Sequence, residues 1–303
     1  MKTLQVTTTD PYFNLALEEY LLKEKGIEED VFFVWRNTPC VVIGRNQNPF
    51  NEINLMYAKK HHIPVLRRIS GGGTVYHDLG NINFTYLSKT LKDRLNNYRF
   101  FVQPIIDILN KMGVQARFVE TSHIYIGDQK ISGNAQSFYK DRMMHHGTLL
   151  FDGDLTHLRQ LLKPKRRYSS HAVDSTRSDT TNIKNHLLVH TDAEQFLTFL
   201  LDEMRLNDAS QDLVLSEVEI ERIRQIAVEK YKTVRWTYGE TPGFWINETW
   251  EGEVIQMRID KGVITESSLE PDVLEGQWFL PDVVKQSLSH RNDVSDILRI
   301  LFQ

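Results

Sequence analysis

Apolar positions along the chain switch between the period of a helix and that of a strand. Asp10-Pro11 has the chemistry of an N-cap followed by proline in the first helical turn. Phe13, Leu17, Tyr20 and Leu21 then recur at helical spacing until Gly26. Val31–Trp35 and Cys40–Ile43 are unbroken apolar runs parted by Asn37-Thr38-Pro39, which predicts two strands and a turn. Ile63–Arg68 and Asn81–Leu87 read as two more strands, joined by a glycine-rich segment. Phe101, Ile105, Ile108 and Leu109 place a helix over Tyr98–Met112, stopped by Gly113. Ser122–Gln136 has the pattern of a hairpin and Gly147–Phe151 that of a strand. Further helices are predicted over Asp192–Arg205 and Ser216–Tyr231, the second opened by Ser216 and Glu219 at capping-box spacing.

The helical pattern breaks at Tyr231–Phe244, where Trp236, Tyr238, Gly239, Pro242 and Gly243 intervene. Beyond it come a strand at Val254–Ile259, a turn at Asp260-Lys261-Gly262, another strand and one or two helices. The prediction is an α+β fold of mixed sheets with helices, divided into a large unit, residues 1–239, and a small one, residues 240–303.

Composition adds exclusions. With 41% apolar and 25% charged residues the 303-residue chain is not of the disordered class. A single cysteine, Cys40, rules out an intramolecular disulfide, a four-cysteine zinc site and an iron–sulfur cluster. The first ten residues are polar and Thr-rich, and no window approaches the roughly 20 apolar residues needed to span a bilayer. A soluble, cytoplasmic protein without a membrane partner is expected. The 36 basic and 40 acidic residues sum to −4. Residues 240–303 hold 5 basic against 12 acidic, or −7, which leaves 31 against 28, or +3, for residues 1–239. The larger unit is thus the one suited to an anion.

The most informative stretch is Arg67-Arg68-Ile69-Ser70-Gly71-Gly72-Gly73-Thr74-Val75-Tyr76-His77-Asp78-Leu79-Gly80-Asn81. Three glycines allow a tight turn and bring several backbone N–H groups to one anion, and two arginines supply forked donors. No Gly-Lys-Ser/Thr opens a helix here, and no helix follows the glycines, so neither a P-loop nor a dinucleotide fingerprint fits. A strand–loop–strand anion site is the expectation.

In the hairpin, a Gly127-Asp128 turn sets Ile126 opposite Gln129, Tyr125 opposite Lys130, Ile124 opposite Ile131 and His123 opposite Ser132. Ile124, Ile126 and Ile131 then face the core, and His123, Tyr125, Lys130 and Ser132 the other side. His145 and His146 are adjacent on a strand and point to opposite faces, so they do not chelate one metal, and no ligand spacing predicts structural zinc. Cys40, inside an apolar run, reads as a buried inert thiol. The basic run Lys163-Pro164-Lys165-Arg166-Arg167 is short and isolated in a chain of negative charge. It reads as a mobile cover or solvated surface rather than a nucleic-acid contact.

Taken together, these segments resemble the lipoate–protein ligase family. The matching residues are Asp10–Glu19, Ile43-Gly44-Arg45-Asn46-Gln47-Asn48, Arg67–Asn83, Lys130–Gln136 and His145–Leu150, in the family's order. Trp236–Pro242 is similar to the approach to the family's accessory domain. The resemblance implies a biotin-protein-ligase-like catalytic domain with a small accessory domain. It also implies ATP-dependent attachment of lipoate to a lysine of a lipoyl domain through lipoyl-adenylate, with Mg²⁺ assisting. The implied acceptors are E2 subunits of 2-oxoacid dehydrogenases and the glycine cleavage H protein. By the same match Lys130 is the catalytic lysine, contacting both the lipoate carboxylate and the α-phosphate. Arg68, Gly73, Thr74, Val75, Tyr76, Asn81 and Asn83 join it around ATP and the adenylate. Lipoate is implied to meet Arg45, Ser70, Gly71, Gly72, His77, Gly133, Ala135 and His146, again with Lys130. His77 and Asp78 would also support the loop.

Two departures stand out. The family usually has Asn-Asp where this chain has Ser122-His123, and Ser-x-Arg-Ser-Arg-Val-Thr-Asn where it has Ser175-Thr176-Arg177-Ser178-Asp179-Thr180-Thr181-Asn182. An acidic position has become His123 and a basic one Asp179. Either the two are a swapped pair that meets when adenylate is bound, or they are independent changes. Two other functions stay open at this point: an acyl transferase that needs no ATP and uses a cysteine, and a non-catalytic protein that binds lipoate or adenylate.

Overall fold

Three sheets carry the chain in a computed structural model that describes residues 1–89, 94–119, 122–162, 168–175, 178–207 and 211–302. The basic run Lys163–Arg167 and Arg177 lie outside the described residues. In chain order the strands begin with β1 (Lys2–Gln5), β2 (Val31–Trp35), β3 (Cys40–Ile43), β4 (Val65–Arg67) and β5 (Val75–His77). Next come β6 (Asn81–Lys89), β7 (Ala116–Val119), β8 (His123–Ile126), β9 (Gln129–Tyr139) and β10 (Arg142–Leu150). The last are β11 (Ser169–Ser170), β12 (Gln211–Asp212), β13 (Phe244–Trp250), β14 (Glu253–Asp260) and β15 (Val263–Ser267). Eight of them form a mixed sheet in the order β12-β1-β2-β6-β10-β9-β8-β7; β4-β3-β5 and β11-β13-β14-β15 form the other two.

Local chemistry accounts for these elements. All five residues of β2 are buried because both faces of this central strand are covered, whereas β14 alternates buried and exposed. Asp10 caps the helix Pro11–Lys23 by accepting from the Tyr12 N–H at 2.9 Å. Ser216 and Glu219 make the expected reciprocal capping box at Glu217–Ile226, which continues as a π-helical turn to Tyr231.

The hairpin corrects one expectation. Tyr125 does pair with Lys130, but a bulge then shifts the register, so that Ile124 pairs with Ser132 and His123 with Gly133. The additional residue is Ile131. It lets Ile124, Ile126 and Ile131 all enter the core, as predicted, while turning Ser132 inward as well. β13 and the helices Pro49–Glu52, Leu55–Lys60 and Leu155–Leu161 are additions to the predicted set.

Residues 240–303 do not close a core of their own. Phe50 lies 5.5 Å from Phe244, 4.9 Å from Phe279 and 5.7 Å from Tyr238, ring centre to ring centre. β11, from before the predicted boundary, pairs with β13 after it, and the Tyr168 hydroxyl donates to the Leu301 carbonyl. Val41 and Ile43 of β3 belong to the same apolar cluster as Ile246, Met257 and Leu298.

Candidate active site

Between the β4-β3-β5 sheet and the eight-stranded sheet lies a cavity of about 340 Å³. Its walls come from the helix Pro11–Lys23 (Leu15), β2 (Trp35), β3 (Val42), β5 (His77), β6 (Asn83) and β10 (His146). A second, more open cavity of about 690 Å³ adjoins it, lined by Tyr76, Asn81, Leu150, Leu158 and Asp179 among others. Thr74, Val75, Lys130, Gly133, Thr148 and Ser175 line both, so these residues mark the junction.

The glycine loop is folded by close backbone contact. Gly72 has φ +86°, and a Cβ on Gly44 would stand 2.1 Å from the Gly72 carbonyl oxygen, so both positions exclude larger residues. Arg68, buried, donates from Nε to Ser70 Oγ (3.0 Å), from Nη1 to the Val42 carbonyl (3.1 Å) and from Nη2 to the carbonyls of Gly71 (2.6 Å) and Gly73 (2.8 Å). It therefore organises the loop from within, and its charge reaches the cavity chiefly as a field. Arg67 departs further from the expected anion donor. Its fully buried guanidinium serves six oxygens of residues 44–47 and 236–241.

Around Arg68 runs a directed chain of hydrogen bonds. Trp35 Nε1 donates to Thr85 Oγ1 (2.9 Å), and Thr85 donates to Glu18 Oε1 (2.6 Å). That carboxylate also meets His146 Nδ1 at 2.9 Å. His146 Nε2 lies 2.6 Å from Ser70 Oγ, which also accepts from Arg68 Nε–H. His145 points the other way, stacked 4.6 Å from Phe101, so the two histidines part as predicted.

At the junction, the Lys130 N–H donates to the Asp179 carbonyl (2.8 Å) and its own carbonyl accepts from Thr181 (3.3 Å), pinning the strand beneath the side chain. Lys130 Nζ lies 3.4 Å from His123 Nε2, which brings the departing residue beside the lysine as expected. His123 Nδ1 lies 3.3 Å from Ser122 Oγ, and a pairing with Asp179 is the expectation for the adenylate-bound state. Ser175 Oγ accepts from the Thr74 N–H at 2.8 Å and from Gln47 Nε2 at 2.9 Å, so one amide of the expected anion cradle is engaged by the loop above it.

Of the residues expected at the site, Arg68, Gly72, Gly73, Thr74, Val75 and His77 line the inner cavity from one side. Asn83, Lys130, Gly133, Ala135 and His146 do so from the other. Tyr76 and Asn81 line the outer one. Asn83, expected beside the nucleotide, lines only the inner cavity. Ser70 and Gly71 stand behind the wall, and Arg45 stands apart, paired with Glu240 at 2.8 Å and 4.5 Å over the Trp236 ring. Glu18, Trp35, Thr85 and Asn37 went unnoticed in the sequence, where nothing separates their polar atoms from those of ordinary helix and strand positions.

Burial, with lesser pushes from Arg68 and His146, lowers the His77 pKa to about 3. Burial, then His146, holds His145 well below its ordinary value. Both are neutral in the folded protein where the unfolded chain, near pH 6.5, takes up protons. Stability is therefore complete well above pH 6.5 and falls as pH drops below it, by about 2 kcal/mol for His77 between pH 7 and 5, with His145 acting in the same direction. His145→Phe should remove one share of that fall. Urea unfolding at pH 7 and pH 5 checks it, and an equal fall in both proteins would refute it.

The sequence profile of the lipoyl protein ligase A/B catalytic domain matches residues 10–205. Over 271 residues the chain is 37% identical to lipoate-protein ligase LplJ of Bacillus subtilis (strain 168), spanning 87% of this chain and 82% of that protein. A crystal structure of lipoate-protein ligase A bound with ATP is similar at TM-score 0.66 and 25% identity, over 78% of this chain and 97% of that one. A bi-partite lipoate protein ligase from Thermoplasma acidophilum, studied with its E2 lipoyl domain, shares the fold at TM-score 0.68 and 24% identity, over 78% and 95%.

Proposed function

The chain belongs to the lipoyl protein ligase A/B family, and from that premise we propose that it joins lipoate to a lysine of lipoyl acceptor domains in two ATP-dependent steps. In the first, a lipoate carboxylate oxygen attacks the α-phosphorus, a P–O bond forms and pyrophosphate departs. In the second, the acceptor amine attacks the acyl carbon, a C–N bond forms, and AMP leaves as the amine loses a proton.

The observation that carries this reading is Lys130 at the junction of a narrow inner cavity and a wider outer one. A carboxylate reaching out of the inner cavity meets a phosphate in the outer one beside that ammonium. The charge shared between them in the transition state lies within its field. The two cavities hold the reactants in one orientation, which supplies a further part of the rate. The Arg68-organised loop adds positive field, and the Thr74 N–H is free to serve a phosphate oxygen wherever one displaces Ser175 Oγ.

Among the described residues no three His, Cys, Asp or Glu side chains gather as a metal site. The donor set suits a Mg²⁺ ion that keeps its phosphate and water ligands. Asp174 at the inner cavity and Glu52 and Asp179 at the outer are the carboxylates that would complete its shell, where it would neutralise phosphate charge.

Residues 1–239, which include every residue lining the two cavities, form the proposed catalytic part, and residues 240–303 the accessory part. The proposed acceptors are E2 subunits of 2-oxoacid dehydrogenases and the glycine cleavage H protein. The proposed setting is the cytoplasm; among the described residues no helix is long and apolar enough to cross a membrane. A thiol transferase is disfavoured by Cys40, whose buried side chain lines neither cavity and whose thiol burial pushes up.

Incubation with lipoate, Mg-ATP and a purified lipoyl domain tests the reading by pyrophosphate release and acceptor mass. Both should appear only when ATP is present. Acyl transfer without ATP would favour a transferase, and binding without turnover a non-catalytic role.

A further inference from the structure

Because β8 and β9 fall out of step at Ile131, His123 stands opposite Gly133 instead of Ser132. Gly133 has no side chain, and the head of Lys130 lies over it: a Cβ there would sit 3.4 Å from both Lys130 Cε and Nζ. The shifted register and the missing Cβ together let Nζ come within 3.4 Å of His123 Nε2. Ser122, His123 and Lys130 all line the inner cavity, so the contact stands at the wall where the reacting groups are expected. It is long for a hydrogen bond, as catalytic contacts often are before substrate tightens them.

The protons follow by elimination. An ammonium carries three donors and no lone pair, so the ring nitrogen that faces it has to accept. Nε2 is therefore unprotonated and the imidazole neutral, with its proton on Nδ1. That nitrogen lies 3.3 Å from Ser122 Oγ, which takes the proton as acceptor. Ser122 is itself fixed, because its carbonyl accepts from the Asn134 N–H (3.2 Å) and from Asn134 Nδ2 (2.9 Å). Ser122 and His123, which stand where Asn-Asp is usual, thus act as a unit: one holds the tautomer and the other the lysine. A neutral acceptor orients the ammonium without cancelling its charge, as a carboxylate would in part. A pair with Asp179 would require one of these ring nitrogens to let go.

We propose that His123 is a positioning residue for adenylation, held by Ser122 in its Nδ1-protonated form and aiming the Lys130 ammonium through Nε2. The inference rests on the ligase reading above and deepens it by naming what orients the lysine.

Lipoate-dependent pyrophosphate release by the full chain tests it in three variants. His123→Leu removes both ring nitrogens. Its kcat should fall about thirtyfold, the scale of one hydrogen bond to a charged group, while KM for lipoate moves less than about threefold. His123→Gln, whose amide oxygen can stand where Nε2 stood, should keep kcat within about threefold of wild type. Ser122→Ala, which releases the ring, should lie between the two, and a wild-type rate there would remove Ser122 from the unit. A fall of less than about threefold in the leucine variant would overturn the proposal, and so would a glutamine variant as slow as leucine. A change confined to KM would refute it too, since that marks lost ground-state binding. Should leucine abolish the melting transition, the glutamine variant decides alone: a kcat more than about threefold below wild type overturns the proposal. If the wild type releases no pyrophosphate, the ligase reading fails and takes this inference with it. If the wild type turns over and the leucine variant matches it, only the inference fails.

Discussion

Lys130→Ala is expected to lower lipoate-dependent pyrophosphate release by about a thousandfold, the upper range for removing one preorganised donor from a developing charge. Alanine takes away the ammonium between the two cavities while leaving the main-chain bonds to Asp179 and Thr181 intact. The melting temperature should therefore move by only a few degrees, which separates a lost reaction from a lost fold. Lys130→Arg should not restore the rate. A planar, forked guanidinium spreads its charge away from the point that the compact ammonium occupies between the two cavities. Retention of more than about a tenth of the wild-type rate in the alanine variant would remove Lys130 from the role.

The second large effect is on stability. Arg67→Met should cost about 3–5 kcal/mol, as for breaking a buried charged network, and lower the melting temperature by roughly 10 °C. Arg67 is fully buried, yet among the described residues its hydrogen-bond partners are carbonyls and one hydroxyl rather than a carboxylate. Its Nη1 donates to the carbonyls of Gly44 (3.1 Å), Arg45 (2.9 Å) and Gln47 (2.9 Å). Nε and Nη2 donate to the Thr237 carbonyl at 3.0 and 2.7 Å, Nε also to that of Trp236 at 3.2 Å, and Nη2 to Thr241 Oγ1 at 3.0 Å. Methionine fills the space but leaves those oxygens buried without donors. Burial, offset in part by Glu240, brings the Arg67 pKa down to about 10, still charged at neutral pH. Arg67→Lys should recover little, because three donors on one nitrogen cannot serve oxygens on opposite sides. A loss below about 1 kcal/mol in chemical unfolding of Arg67→Met would show that water takes the arginine's place.

Much of this arrangement is legible in the amino-acid order, and its failures have physical causes. The Asp10 cap, the Ser216–Glu219 box, the Gly127-Asp128 turn and the divergence of His145 and His146 depend on neighbours within a few residues, so local chemistry determines them. The bulge at Ile131 does not. It arises because Ile124, Ile126 and Ile131 must all reach a core that the eight-stranded sheet shapes from elsewhere. Arg67 and Arg68 look alike in the sequence, yet they serve different carbonyls, and only Arg68 reaches the wall of the inner cavity. β13 escapes sequence reading because its buried residues, Phe244 and Ile246, find their partners near residue 50 and beyond residue 270. Glu18, Asn37 and Thr85 gain meaning only when helix, turn and strand are brought together, since each acts through a residue at least 40 positions away.

The aromatic cluster around Phe50 bears on how this chain can change over generations. Phe50 packs against Tyr238, Phe244 and Phe279, so a substitution near the front of the sequence is judged by side chains near its end. The two regions can drift only in step. Loss of the last 60 or so residues would leave Val41, Ile43 and Phe50 facing water, about 1.5–3 kcal/mol of unfavourable exposure for each large apolar side chain. A descendant ending at residue 239 would be an unfinished protein, one that could survive only by recruiting a second polypeptide to cover the same face.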